Sequence, residues 1–137
     1  MRVIYEYPPN IEELDATFHI KGKPILFTYG DAIYCPDRSV FITPELYAHE
    51  QIHSNRQTSD RVSIELWWER YLIDAEFRLN EELLAHRAEY KKYCENNKDR
   101  NKRSLFLNSI AGRLASSMYG NVVTPNKARR IILGEKK

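Results

Sequence analysis

Thr43-Pro44-Glu45-Leu46-Tyr47-Ala48-His49-Glu50-Gln51-Ile52-His53-Ser54-Asn55-Arg56-Gln57 decides the reading of this chain. Its first three residues form a helix start. The Thr43 hydroxyl can cap free amides, Pro44 fits the first helical position, and Glu45 favours the positive end of the dipole. No glycine and no second proline follows before Gln57, so the spacing predicts one helix from Pro44 to about Gln57. Inside it, His49-Glu50-Gln51-Ile52-His53 puts two imidazoles at i and i+4, with Cβ atoms about 5–6 Å apart. Such a pair can hold one Zn²⁺, and Glu50 is placed to activate a water bound to it.

A helical wheel supports this. Advancing about 100° per residue groups Ile52, Arg56, His49, His53, Leu46, Gln57 and Glu50 on one arc of roughly 160°. A lone histidine on such a face is usually a satisfied core residue; two at ligand spacing with a glutamate between them point to a metal. A catalytic metal also needs a third protein ligand and an open position for water. Asp74 to about Glu95 reads as a long helix capped by Asp74, the alternative being a helix running straight through from Ile64. On its wheel Glu82 falls among Ala75, Leu79, Leu83, His86, Tyr90 and Tyr93, while Glu81 points about 100° away, beside Phe77 and Ala88. Acidic residues avoid apolar faces unless paired or metal-bound, so Glu82 is the expected third ligand. The competing reading pairs Glu82 with an arginine such as Arg56 or Arg78. His86, one turn on, is an alternative ligand, a partner behind a ligand, or a donor to a developing oxyanion.

The pentad with Gln57 four residues on, then Trp67-Trp68-Glu69-Arg70-Tyr71-Leu72, then Phe77-Arg78-Leu79-Asn80-Glu81-Glu82-Leu83-Leu84-Ala85, resembles a group of small zincin-like metallopeptidases, often encoded by bacteriophages and prophages. Leu114-Ala115-Ser116-Ser117-Met118-Tyr119-Gly120 and the last short helix are similar too, so the resemblance covers residues 40–133. It implies a minimal gluzincin-like arrangement, with His49, His53 and Glu82 as ligands and Glu50 as base. Position 86 in that group is more often tyrosine, and His86 departs from it.

Composition sets the outer bounds. The 137 residues suit one domain with a proper core, and 42% hydrophobic with 29% charged residues is ordinary for a soluble globular protein. No apolar run approaches the roughly 20 residues needed to span a bilayer. Met1-Arg2-Val3-Ile4-Tyr5-Glu6 lacks the apolar stretch of a signal peptide, so a cytoplasmic protein is expected. Cys35 and Cys94 are isolated, as free thiols in a reducing compartment would be.

The expected fold is α+β and zincin-like: a small N-terminal antiparallel sheet packed on the metal helix, followed by further helices. Residues 1–43 form the strand-rich part. Arg2–Tyr7 can be a strand, Pro9-Asn10 starts a short helix, and Gly30-Asp31 turns a hairpin between Ile25–Tyr29 and Ala32–Cys35. Val40-Phe41-Ile42 adds a further strand, and an edge between Ile25 and Ile42 can receive an extended peptide. Residues 44–97 carry the site helices. Residues 98–137 are basic and helical, from Ser104 to about Tyr119 and again after Thr124-Pro125. One of the adjacent Trp67 and Trp68 is expected in the core and the other at the helix edge.

The chemistry these residues propose is hydrolysis of a peptide or protein. The zinc would acidify its water and polarise the scissile carbonyl, Glu50 would carry the proton to the leaving amine, and a further donor would meet the oxyanion. His86, Tyr90, Tyr93 and Tyr119 are the candidates for that donor. Two other classes stand beside this one. The first is a metal-binding, catalytically idle module that works through a partner. The second is a nucleic-acid or virion-assembly accessory that uses the basic C-terminal part. There Lys98-Asp99-Arg100-Asn101-Lys102-Arg103 and Arg129-Arg130 carry the charge, and a solvated loop and tail is the plainer reading because no nucleic-acid motif accompanies them.

Overall fold

The computed structural model describes residues 1–59, 63–116 and 119–135. Strand β1 (Arg2–Ile4) is followed by helix α1 (Ile11–Phe18) and the hairpin strands β2 (Phe27–Tyr29) and β3 (Ala32–Tyr34). Helices α2 (Pro44–Gln57), α3 (Ile64–Ile73), α4 (Ala75–Asn96), α5 (Arg100–Leu114) and α6 (Pro125–Ile132) complete the chain. The class is α+β and mostly helical.

The sheet is mixed rather than antiparallel. β3 is central, with β2 antiparallel on one side, Thr28 opposite Ile33, and β1 parallel on the other, Val3 opposite Ile33. A parallel neighbour needs a crossover, and α1 lies within it. The hairpin turns at Gly30, whose φ of 64° suits glycine. A Cβ there would also stand 3.0 Å from Ile64 Cδ1. β1 stops at Ile4, short of Tyr7, and Val40-Phe41-Ile42 form no strand. Phe41 is 80% exposed, with no sheet face to bury it.

Helix boundaries follow their caps. Thr43 Oγ1 accepts from Leu46 N at 3.2 Å, so α2 starts where its sequence predicts. Asp74 is extended, and its carboxylate accepts from Phe77 N at 3.0 Å, which separates α3 from α4. α5 begins at Arg100 instead of Ser104, because Asp99 Oδ1 accepts from the amides of Asn101 and Lys102 at 2.8 and 3.1 Å. It ends at Leu114, short of Tyr119. Arg100–Arg103 are therefore a helical turn and not a loop. The Arg103 guanidinium donates to the carbonyls of Asn97 and Cys94, both at 2.6 Å, and closes the end of α4.

Two buried clusters result. Leu79, Leu83, Leu107, Ile110, Leu114 and Ile131 pack α4, α5 and α6 together. Leu14, Ile20, Phe27, Trp67, Trp68 and Tyr71 pack α1, β2 and α3. Both tryptophans are buried, at 2% and 7% exposure, so neither sits at a helix edge; Trp67 stacks on Tyr71 with ring centroids 5.1 Å apart. Cys35 and Cys94 are free. No described helix is long and apolar enough to cross a membrane.

Candidate metal centre

α2 and α4 pack face to face, and the polar residues of each meet in the contact. His49, Glu50, His53 and Gln57 of α2 are buried, as are Glu81, Glu82, His86 and Glu89 of α4. Glu82 stands between the two histidines: His49 Nε2 lies 3.2 Å from Oε1, and His53 Nε2 lies 3.0 Å from Oε2. The Tyr71 hydroxyl donates to Glu82 Oε2 at 2.9 Å. One ligand atom each from His49, Glu50 and His53 fall within 4.8 Å of one another. The structure thus brings together His49, Glu50, His53 and Glu82, all expected from sequence.

Among the described residues no arginine pairs with Glu82. Arg56 donates to both oxygens of Glu81 at 3.0 Å, and Trp67 Nε1 donates to Glu81 Oε1 at 2.7 Å. Arg78 Nε donates to the Tyr71 carbonyl at 3.0 Å. Glu81 therefore points away from the histidines but is as buried as Glu82, held by partners from two other helices.

Several residues that hold the site had no role assigned to them from sequence. The Thr28 hydroxyl, on β2, donates to Glu50 Oε2 at 2.6 Å and fixes the carboxylate. Gln57 ties α2 to the same strand: its Nε2 donates to the Thr28 carbonyl at 2.9 Å, and its Oε1 accepts from Gly30 N at 2.8 Å. Glu89 contacts His49 Nδ1 at 2.8 Å and His86 Nδ1 at 3.1 Å, and accepts from Arg113 of α5. A signal for Glu89 existed, since it lies two helical turns after Glu82 on the same face. Thr28 and Arg113 carry no local signal, because only the tertiary fold brings them in.

His86 is fully buried behind His49, with ring centroids 4.6 Å apart, and its Nε2 has no hydrogen-bond partner among the described residues. It does not line the cavity that opens on the site, whereas Tyr119 and Arg113 do. Tyr93 stacks flat on Phe106 at 4.0 Å, and Tyr90 packs on the aliphatic cluster; neither reaches the cavity.

The electrostatics suit a cation. Burial opposes the charged form of His49, but Glu82, Glu89 and the field of Glu50 outweigh it and raise its pKa to about 10. Burial likewise opposes charge on Glu82, yet His53 and His49 hold it well below the usual carboxylate value. Glu89 is lowered against its burial by the same kind of contact with His49 and His86. Burial, opposed by Glu89 and helped by the His49 charge, lowers His86 to about 4. Burial and the Glu82 charge raise Tyr71 and Tyr119 well above their ordinary value, so both stay neutral donors.

A divalent ion fits this donor set. Two imidazoles and one carboxylate converge, and Glu89 engages Nδ1 of His49 and so leaves its Nε2 for a metal. Glu82 Oε1 is buried and, although 3.2 Å from His49 Nε2, makes no hydrogen bond among the described residues. No family model, no curated protein and no solved structure matches this chain.

Proposed function

We propose that the protein is a zinc-dependent hydrolase, a metallopeptidase of minimal gluzincin-like design acting on a peptide or protein. The observation that carries this reading is the seat of Glu82 within 3.2 Å of His49 Nε2 and 3.0 Å of His53 Nε2. It supports His49, His53 and Glu82 as the three ligands. Bound there, zinc would supply a Lewis acid for the scissile carbonyl and bring the pKa of its water towards about 7. Glu50 accepts the proton of the attacking water and delivers it to the leaving amine. Thr28 keeps the Glu50 carboxylate in one orientation for both transfers. Tyr119, neutral and at the cavity wall, is placed to donate to the oxyanion, a role that His86 cannot share without reaching the cavity.

The test is metal analysis together with turnover. His53→Ala loses zinc, and Glu50→Gln keeps zinc but loses hydrolysis of a peptide library. Full zinc stoichiometry in a His49→Ala/His53→Ala protein would sink the assignment.

One observation favours a second reading, in which the metal is structural and the protein idle as an enzyme. His49, Glu82 and His86 also place one ligand atom each within 4.8 Å of one another. Four protein donors around one ion would leave no open position. Zinc at full occupancy with no turnover would select this reading. The nucleic-acid reading has less support, since Arg103 is held by the carbonyls of Asn97 and Cys94 and Arg129 by Asn108 within the fold.

A further inference from the structure

The cavity beside the candidate metal centre has a volume of about 230 Å³. That is below the roughly 300–1,000 Å³ of pockets that enclose a drug-sized ligand, and suits about one residue of a peptide. Its wall joins the apolar side chains of Leu14, Phe27, Trp67, Trp68 and Tyr71 to the polar site. Among the described residues that line it, Arg113 is the one lysine or arginine. Its Nη2 donates to Glu89, which contacts His49 Nδ1 at 2.8 Å, so the guanidinium stands two contacts from a ligand histidine.

Arg113 is only partly used. Its side chain is 44% exposed, and its Nη1 and Nε make no hydrogen bond among the described residues. Glu89 holds one corner of the guanidinium still and leaves its other N–H groups without a partner among the described residues. A guanidinium fixed in this way is preorganised for a second carboxylate, which its planar fork can meet through parallel N–H···O bonds. At Thr28 and Gly30 the edge of β2 is closed to an extended substrate, because Gln57 occupies the Thr28 carbonyl and the Gly30 amide. A chain pairing there would have to displace Gln57 from the Thr28 carbonyl and the Gly30 amide, whereas a chain end needs only an anchor and a side-chain pocket.

We propose that Arg113 binds the free α-carboxylate of a peptide whose C-terminal residue is apolar, and that this residue's side chain fills the cavity. The inference rests on the hydrolase reading and gives it carboxypeptidase specificity. In the step itself the last amide C–N bond breaks and a C–O bond forms from water. Glu50 carries one water proton to the nitrogen, so a shortened peptide acid and a free apolar amino acid leave.

Two arms test it on the zinc-loaded, full-length protein. In the first, kcat/KM is measured for one peptide ending in phenylalanine as the free acid and as the carboxamide. The acid is favoured by about 10- to 100-fold, the range expected for charge-assisted hydrogen bonds. Arg113→Ala abolishes the preference by raising KM for the acid more than for the carboxamide, and Arg113→Lys restores part of it. In the second, calorimetry compares N-acetyl-phenylalanine with its amide, and the acid binds more tightly only when Arg113 is present. Acid and amide handled within about twofold in both arms would overturn the proposal. So would an equal loss on both peptides in Arg113→Ala, since Arg113 would then act only by holding Glu89. Acid-selective binding without hydrolysis of either peptide would overturn the hydrolase reading and leave the anchor standing.

Discussion

The two packed regions on either side of the candidate site use burial differently. Between α4, α5 and α6 the interior is aliphatic and closed, with Ile110 and Ile131 at 0% exposure. Between α1, β2 and α3 it is aromatic, and its rings leave a cavity that runs to His49, Glu50, His53 and Glu82. The first region buries hydrocarbon and is a source of stability. The second borders several ionisable groups desolvated together, an arrangement costly to hold unless the charges satisfy one another or an ion. Helix α4 belongs to both: Leu79 and Leu83 serve the first region, while Glu82, His86 and Glu89 serve the second.

That division can be broken from either side. The largest effect is expected from Ile110→Ala, which should cost about 2–5 kcal/mol in chemical denaturation. Zinc per folded molecule should not change; a falling stoichiometry would show that the two regions are not separable. Glu89→Gln should act the other way, weakening zinc binding by about 10–100-fold in competition with a chromophoric chelator, as loss of a partner behind a ligand does. Unchanged affinity would remove Glu89 from the site.

Next in size is the dependence on pH. In the metal-free protein the pKa of His49 is raised from 6.5 to about 10. A raised pKa means that His49 contributes stability fully below its unfolded value, a contribution lost as pH climbs through about 10. A metal must displace that proton, so zinc affinity should rise by about tenfold per pH unit across this window, with about one proton released at neutral pH. Calorimetry in buffers of different ionisation enthalpy reads the proton directly, and uptake without release would contradict His49 as a ligand. Smallest is Thr43→Ala, expected to cost about 1 kcal/mol by uncapping α2, visible as a shifted urea midpoint.

Local signals carried much of this site. The cap at Thr43, the helical spacing of His49 and His53, and the face of Glu82 are all properties of single segments, and each could be read from sequence. The parallel pairing of β1 was not legible, because nothing in Arg2-Val3-Ile4 says which strand it will join. The burial of Glu81 was missed because its partners, Trp67 and Arg56, come from two other helices. The early start of α5 was legible in principle: Asp99 has the chemistry of a cap, but the surrounding cations suggested a loop. Thr28 and Arg113 required the assembled fold, since a hydroxyl on a strand and one arginine among many have no pattern of their own.

Gln57 also bears on how copies of this chain meet at high concentration. A bare strand edge is a template on which another molecule can build. Here the side-chain amide of a helix imitates a neighbouring strand, donating to the Thr28 carbonyl and accepting from the Gly30 amide. The three residues of β1 form the opposite edge of the sheet. Self-association through β-pairing at Thr28 and Gly30 therefore requires α2 to detach first, and whatever holds α2 in place, a bound metal included, also protects the protein from aggregating by that route.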